Sequence, residues 1–404
     1  MSSRRHFLKR ASLIGLTGFV GYSVYRGFRY PPLMFVLDEY PYRSELDGLN
    51  VNLQDAMYLK PANTGALRMR ATAPEPKVFL RSADARTVLL SVNNVHPKAS
   101  VLVEGGEIAD HSIEKTNHFI QVKIPKENTV KLSWQFPDPE QYRFAVIGDT
   151  GGGTELQWCL ERSAQLQADF MLHLGDFVYV DGDYQKAVEN FQDSEIPCYV
   201  TIGNHDFHNN GKIYHTFLEE IGVFNNIFQL GDVQFLNMDS ANDFFPPWAG
   251  QRGALIQKLI ERRESGQSTA TETVAFTHRP LADFRIGEDH DINGVHEAQW
   301  LTEKLFQAGV GHFFAGHVHD NHSMDYRGIQ QVIAGQGLGH KDLLAGKQIS
   351  EILLVDAVKG QELHYDWQQL AMPWDHHCST VYQHYKEKDT MLERLREIEK
   401  LCSA

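Results

Sequence analysis

The sequence predicts an α/β protein in which a mainly parallel, helix-covered sheet follows a smaller all-β unit. Two observations carry this. From about residue 142 to 367, short apolar runs alternate with loops and helical stretches, as at 169–174, 183–192 and 198–202, which is the pattern of a parallel sheet with covering helices. From about 35 to 137 the β-rich runs are separated by turn signals alone.

In that first unit the runs Thr87–Val92, Ser100–Val103, His118–Ile124 and Val130–Trp134 are divided by Asn93-Asn94, Gly105-Gly106 and Lys126-Glu127-Asn128. Short strands with regular turns over this length predict a sandwich of immunoglobulin-like size. Its residues match no motif. The economical role is structural, packing on the second unit or bordering its cleft, with carbohydrate or protein binding as the alternative. Pro137-Asp138-Pro139 marks the boundary.

In the second unit, five apolar runs end in loops carrying metal-ligating residue types. Phe144–Ile147 leads to Gly148-Asp149-Thr150-Gly151, and Phe170–Leu174 to Gly175-Asp176-Phe177-Val178-Tyr179. Cys198–Ile202 leads to Gly203-Asn204-His205-Asp206, Val274–Phe276 to Thr277-His278-Arg279-Pro280, and Val310–Phe314 to Gly316-His317-Val318-His319. Loops at strand ends are where sites form in α/β sheets. Taken singly, Asp149 reads as a turn or cap, Tyr179 as a packed aromatic, Asn204 as a turn residue and His278 as a loop histidine. Together they form a mixed oxygen and imidazole set suited to iron, manganese or zinc rather than calcium. Two such ions roughly 3.5–4 Å apart can stabilise in-line displacement at phosphorus.

The five blocks in this order resemble the calcineurin-like metallophosphoesterases. The Asp-x-x-Tyr spacing of Asp176 and Tyr179, with Gly-Asp-x-Gly at 148–151, resembles the purple acid phosphatase branch. Most relatives outside that branch carry Asp-x-His at the first block; here Gly151 stands in the histidine position and Tyr179 is available to replace it. The resemblance implies two stacked β-sheets flanked by helices, and two metal ions. One would be held by Asp149, Asp176, Tyr179 and His319, with iron favoured beside Tyr179. The other, iron, zinc or manganese, would be held by Asp176, Asn204, His278 and His317, so that Asp176 bridges. His205 and Asp206 are the catalytic candidates, His205 as substrate hydrogen-bond partner or proton donor. The implied reaction is hydrolysis of a small phosphate monoester by attack of a metal-bound hydroxide. A phosphodiesterase or nucleotidase on the same site, and an exported binding protein with an idle metal site, remain open as alternatives.

The chain opens Ser3-Arg4-Arg5-His6-Phe7-Leu8-Lys9, followed by a weakly apolar run from Ala11 to Tyr25. This resembles a twin-arginine export signal. It predicts passage of residues 1–30 to the export machinery, an exported, periplasmic location, and, since no Ala-x-Ala-like site follows, possible anchoring through an uncut leader. A formal charge of −14 excludes an evident nucleic-acid surface, which needs a basic patch. The four cysteines lack paired metal spacing, and Cys159 and Cys198 are expected to be buried free thiols.

Further expectations are local. Gly151 to Gly153 admit close backbone approach, and Thr154 is expected to cap a helix through about Gln167. Ile227–Leu230 and Val233–Asn237 should form a hairpin across Gly231-Asp232, with later strands near 329–334, 350–356 and 361–367. His173 should be a satisfied core side chain, and His208, His312, His322, His340, His376 and His377 are left outside the site. Asp239–Trp248 is a polar, then aromatic loop that reads either as a pocket wall or as an ordinary surface loop packed by its aromatics. In the extension at 368–404, Met391, Leu392, Leu395, Ile398 and Leu401 have amphipathic helical spacing.

Overall fold

The computed structural model describes residues 43–46, 48–59, 66–207, 212–241, 250–285, 290–292, 295–337 and 349–371. The leader, the C-terminal extension with Cys378 and Cys402, the aromatic part of the 239–248 loop, and His208, His340, His376 and His377 lie outside these residues.

The first unit contains β1 (Arg43–Leu46), β2 (Leu49–Gln54), β3 (Ala56–Tyr58), β4 (Leu67–Ala71), β5 (Lys77–Ser82), β6 (Arg86–Asn93), β7 (Ser100–Glu104), β8 (Glu107–Glu114), β9 (Asn117–Ile124) and β10 (Thr129–Gln135). They form two five-stranded sheets, β1-β2-β5-β10-β7 and β3-β4-β6-β9-β8. Alternation explains the packing. In β9, His118, Ile120, Val122 and Ile124 are buried while Gln121 and Lys123 between them are exposed, so one face joins Val51, Leu80, Leu90 and Trp134 in a shared core. β8 escapes sequence reading because nearly its whole length is exposed and polar; antiparallel pairing with β9 holds it.

The second unit runs β11 (Gln141–Ile147), α1 (Thr154–Gln165), β12 (Phe170–His173), α2 (Asp183–Gln192), β13 (Cys198–Val200), α3 (Lys212–Glu220), β14 (Asn226–Leu230), β15 (Val233–Asn237), α4 (Gly250–Glu264), β16 (Glu272–Phe276), α5 (Val295–Ala308), β17 (His312–Ala315), β18 (Asn321–Tyr326), β19 (Ile329–Ala334), β20 (Ile349–Val358) and β21 (His364–Ala371). Its two sheets are β13-β12-β11-β20-β21 and β14-β15-β16-β17-β19-β18. β11, β12 and β13 pair in parallel, as do β15, β16, β17 and β19; antiparallel strands complete both sheets.

The sheets stack on aromatic side chains: Phe144 lies parallel to Phe170 at 5.2 Å and edge-on to Phe235 at 5.5 Å, and Phe228 stacks on Phe235 at 4.8 Å. The outer faces are covered by Leu156, Leu160, Val188 and Phe217 on one side and by Ile256, Leu259, Leu301 and Leu305 on the other. The architecture is therefore two stacked sheets flanked by helices, as expected. Cys159 and Cys198 are buried free thiols, also as expected.

Two local expectations change and a third holds. Gly153, not Thr154, is the N-cap of α1, with no side-chain capping bond. The final strand starts at His364 rather than 361, because the chain first turns through Gly360 (φ 74°), whose N–H donates to Asp232. The β14–β15 hairpin forms across Gly231-Asp232, and Gly231 (φ 58°) is needed there since a Cβ would fall on the Pro139 carbonyl.

One buried cation ties the two units together. Arg70, from β4, is fully buried. Its guanidinium donates to the carbonyls of Ile221 (2.8 Å), Cys198 (3.1 Å) and Phe191 (3.4 Å), and to Asn93. Burial lowers its pKa to about 10, which still leaves it charged at neutral pH. Beside it, Asn94 donates to the Cys198 carbonyl (3.1 Å) and accepts from the Cys198 N–H (2.7 Å). β13 is thus held from the first unit, and β13 leads into the Gly203–Asp206 loop. Arg70→Ala strands several buried carbonyls, so denaturant unfolding should show a loss of about 3–5 kcal/mol; an unchanged midpoint would mean that the guanidinium does not help to hold the two units together.

Candidate metal centre

The site forms where the parallel strands of both sheets end. Each strand stops at a sharp reversal. Asp149, Asp176, His317 and His319 all have left-handed backbones, with φ of 60°, 57°, 70° and 53°, an unfavourable region for residues with a Cβ. Reversal lets short side chains turn back across the sheet ends. The neighbouring glycines leave the room: a Cβ on Gly316 would lie 2.5 Å from Asp149 Oδ2, one on Gly335 3.0 Å from the same atom, and one on Gly203 would overlap the Asp176 carboxylate.

All seven expected ligands come together. Asp176, His278 and His317 form one cluster and Asp149, Asp176 and His319 another; within each, the possible ligand atoms lie within 4.8 Å of one another. Asp176 is common to both. His278 Nε2 lies 2.8 Å from Asn204 Oδ1, 3.1 Å from His317 Nδ1 and 3.5 Å from Asp176 Oδ1. In the second cluster, the Tyr179 hydroxyl is 3.3 Å from both Asp149 Oδ1 and His319 Nε2, and His319 Nε2 is 3.6 Å from Asp149 Oδ1. A Cβ on Gly151 would meet the Tyr179 ring at 3.5 Å, so the phenol lies close to the Gly151 position.

These donors fit metal ions. His278 Nδ1 is held by the Leu174 carbonyl at 2.8 Å; with the N–H there, Nε2 turns its lone pair towards the cluster. Burial lowers the pKa of His278, and burial with His278 and Arg279 nearby lowers that of His317. Neutral imidazole is the ligating form.

His205 places its ring 5.0 Å from Tyr179, and its backbone N–H donates to Asp176 Oδ1 at 2.8 Å. Asp206 departs from the expected catalytic part. It is fully buried and both carboxylate oxygens accept from backbone: Oδ1 from Phe177 and Val178 N–H at 3.0 Å, Oδ2 from Asp176 N–H at 3.0 Å and Gly203 N–H at 2.7 Å. Burial and the Asp176 charge push its pKa up, opposed by these N–H donors. Its geometry is that of a brace between two ligand loops.

His173 is a satisfied buried side chain, bonded to Thr150 Oγ1 (3.0 Å) and the Gly175 N–H (3.2 Å). His312 engages Glu272 and Tyr365 at the opposite strand ends, and His322 stacks on Phe284. Sequence reading missed Arg279, which donates to His317 Nε2 at 3.2 Å, although it follows a ligand directly. It also missed Gly335, in a Gly-Gln-Gly stretch after β19 with the same punctuation as the other blocks. The group Asp283, Arg285 and His290 beside His317 had no signal. Burial opposes ionisation of Asp283, but Arg285, at 2.7 Å, holds its carboxyl below the usual range.

Residues 142–321 match the family model described as calcineurin-like phosphoesterase. The chain is 31% identical over 161 residues to the serine/threonine-protein phosphatase CPPED1 of Bos taurus, covering 38% of this chain and 50% of that protein. It is 25% identical over 214 residues to the probable purple acid phosphatase 20 of Arabidopsis thaliana, covering 48% and 49%. The chain thus spans about half the length of these curated relatives. Among solved structures, a purple acid phosphatase from yellow lupin seeds aligns with a TM-score of 0.43 at 13% identity, covering 73% of this chain and 70% of that one. A dimetal phosphatase from Danio rerio aligns with a TM-score of 0.44 at 11% identity, covering 58% and 100%. All five loops lie within the stretch that matches the calcineurin-like phosphoesterase model.

Proposed function

We propose that this chain is an exported phosphatase that hydrolyses phosphate monoesters at a pair of metal ions. The observation that carries the reading is the sharing of Asp176 between two adjacent donor clusters, the arrangement that one bridging carboxylate and two ions require. Asp149, Asp176, Tyr179 and His319 would hold one ion, iron in this reading; Asp176, Asn204, His278 and His317 would hold iron, zinc or manganese. When bound, the ions would supply a water acidified towards neutral pH and positive charge against the phosphoryl oxygens.

The remaining work falls to the chain. Asp206 holds the Asp176 and Asn204 loops in register through four backbone N–H groups. Asp176 in turn fixes the His205 backbone, so that this imidazole is the candidate to donate a proton to the leaving oxygen. The overall charge of −14 does not oppose an anionic substrate, because bound cations dominate the local field. Export rests on Arg4-Arg5 and the apolar run after it, which are suited to the twin-arginine machinery and, left uncut, to membrane anchoring.

Purified protein should contain about two metal ions per chain, with a visible absorption band that Tyr179→Phe abolishes; metal analysis and a spectrum of the same sample decide this. Two ions without colour would retain the phosphoesterase and remove iron from the Tyr179 position. His205→Ala should keep both ions yet lose about 10²- to 10⁴-fold in turnover of an aryl phosphate monoester, and unchanged turnover would remove its assigned role. A diester with the same leaving group should react more slowly than the monoester. Replacing Arg4 and Arg5 together by lysine should retain the protein in the cytoplasm on cell fractionation; normal export of that variant would refute the leader assignment.

A further inference from the structure

We infer that Asp183 is a positioning residue for Tyr179, setting where the phenol reaches the metal centre. The inference rests on the metal-holding reading of Tyr179 proposed above.

The loop between β12 and α2 carries both Asp176 and Tyr179. Five consecutive backbone N–H groups of this loop donate to two buried carboxylates. Asp206 takes those of Asp176, Phe177 and Val178. Asp183 Oδ2 takes those of Tyr179 at 3.0 Å and Val180 at 3.1 Å. Asp206 therefore governs the half of the loop that holds Asp176, and Asp183 the half that holds Tyr179.

Ordinary helix capping does not account for Asp183. It is the first residue of α2, after the left-handed N-cap Gly182, and no side-chain capping bond is made at that helix start. Its carboxylate instead reaches back to the preceding loop. It is only 8% exposed, and burying a carboxylate is costly unless hydrogen bonds compensate. The packing around it is equally specific: a Cβ on Gly152 would fall on the Asp183 carbonyl, and one on Gly151 would come within 3.5 Å of the Tyr179 ring and 3.7 Å of Asp183 Oδ2. A side chain at Gly151 or Gly152 would therefore press on Tyr179 or Asp183. The phenol so placed lies 3.3 Å from Asp149 Oδ1 and His319 Nε2.

A residue that fixes a ligand without touching the metal typically changes metal affinity by about 10- to 100-fold when removed. Zn²⁺ titration of the metal-stripped full chain, with thermal unfolding followed in parallel, tests this. Wild type should take two Zn²⁺, and Asp183→Ala should weaken one of them by about 10- to 100-fold. In a Tyr179→Phe background Asp183→Ala should produce no further loss, because its effect is transmitted through the phenol. Asp183→Asn keeps an acceptor oxygen at the same reach and should restore most of the affinity; Asp183→Glu keeps the charge at the wrong reach and should not. If Asp183→Ala fails to fold, the order of the Asn and Glu variants decides: Glu retaining affinity while Asn loses it would make Asp183 a source of field and overturn the positioning role. Undiminished Zn²⁺ affinity in folded Asp183→Ala, or a further loss in the Tyr179→Phe background, would also overturn it. Failure of wild type to take two Zn²⁺ would instead defeat the metal-holding reading itself.

Discussion

The candidate metal centre depends on how the backbone between Asp176 and Val180 is satisfied. A loop that reverses at the end of a buried strand cannot continue the ladder, and each buried N–H left unpaired costs about 1–3 kcal/mol. Here the donors end on Asp206 and Asp183. Each carboxylate is expensive to bury alone and each N–H expensive to leave unmade. Matched, they offset one another and leave the loop one geometry. The same economy recurs where Asp149 Oδ2 accepts the His317 N–H at 2.7 Å and Asp176 Oδ1 the His205 N–H at 2.8 Å. The site is held by its own carboxylates as much as by the sheets beneath it.

Against this stands local strain. Four of the seven candidate ligand residues have left-handed backbones, a conformation that costs of order 1–3 kcal/mol per residue in a functional loop. The stacked aromatic core and the helices that cover it supply the surplus stability, and Gly203, Gly316 and Gly335 leave room for the Asp176 and Asp149 carboxylates. Breaking a local rule at several strand ends together is what a functional site looks like in a chain whose remaining positions follow pattern.

That contrast explains what the sequence made legible. The five ligand loops could be read because each follows a short apolar run and opens with glycine or threonine, and because their side chains carry the chemistry. The stacked sheets followed only from resemblance, since periodicity does not say which strands lie in which layer. Asp206 was visible but its bracing contacts were not, because its partners are backbone N–H groups that every sequence contains. Asp183 was hidden for the same reason, and looked like an unremarkable start to a helix. Strand β8 was missed because its residues are polar along most of its length, and Arg70 because a lone arginine in a β-rich stretch carries no sign that it will be wholly buried against another unit.

The grip of the first unit on β13 bears on how the chain can be divided. β13 is the outermost strand of its sheet, and Asn94 occupies the backbone donor and acceptor of Cys198 that would otherwise face outwards. A fragment beginning near residue 140 would keep every metal ligand but bare that strand, with a buried thiol beside it. An uncovered strand margin templates pairing with another chain. A fragment so trimmed is expected to self-associate along β13, the margin that Asn94 covers in the full chain.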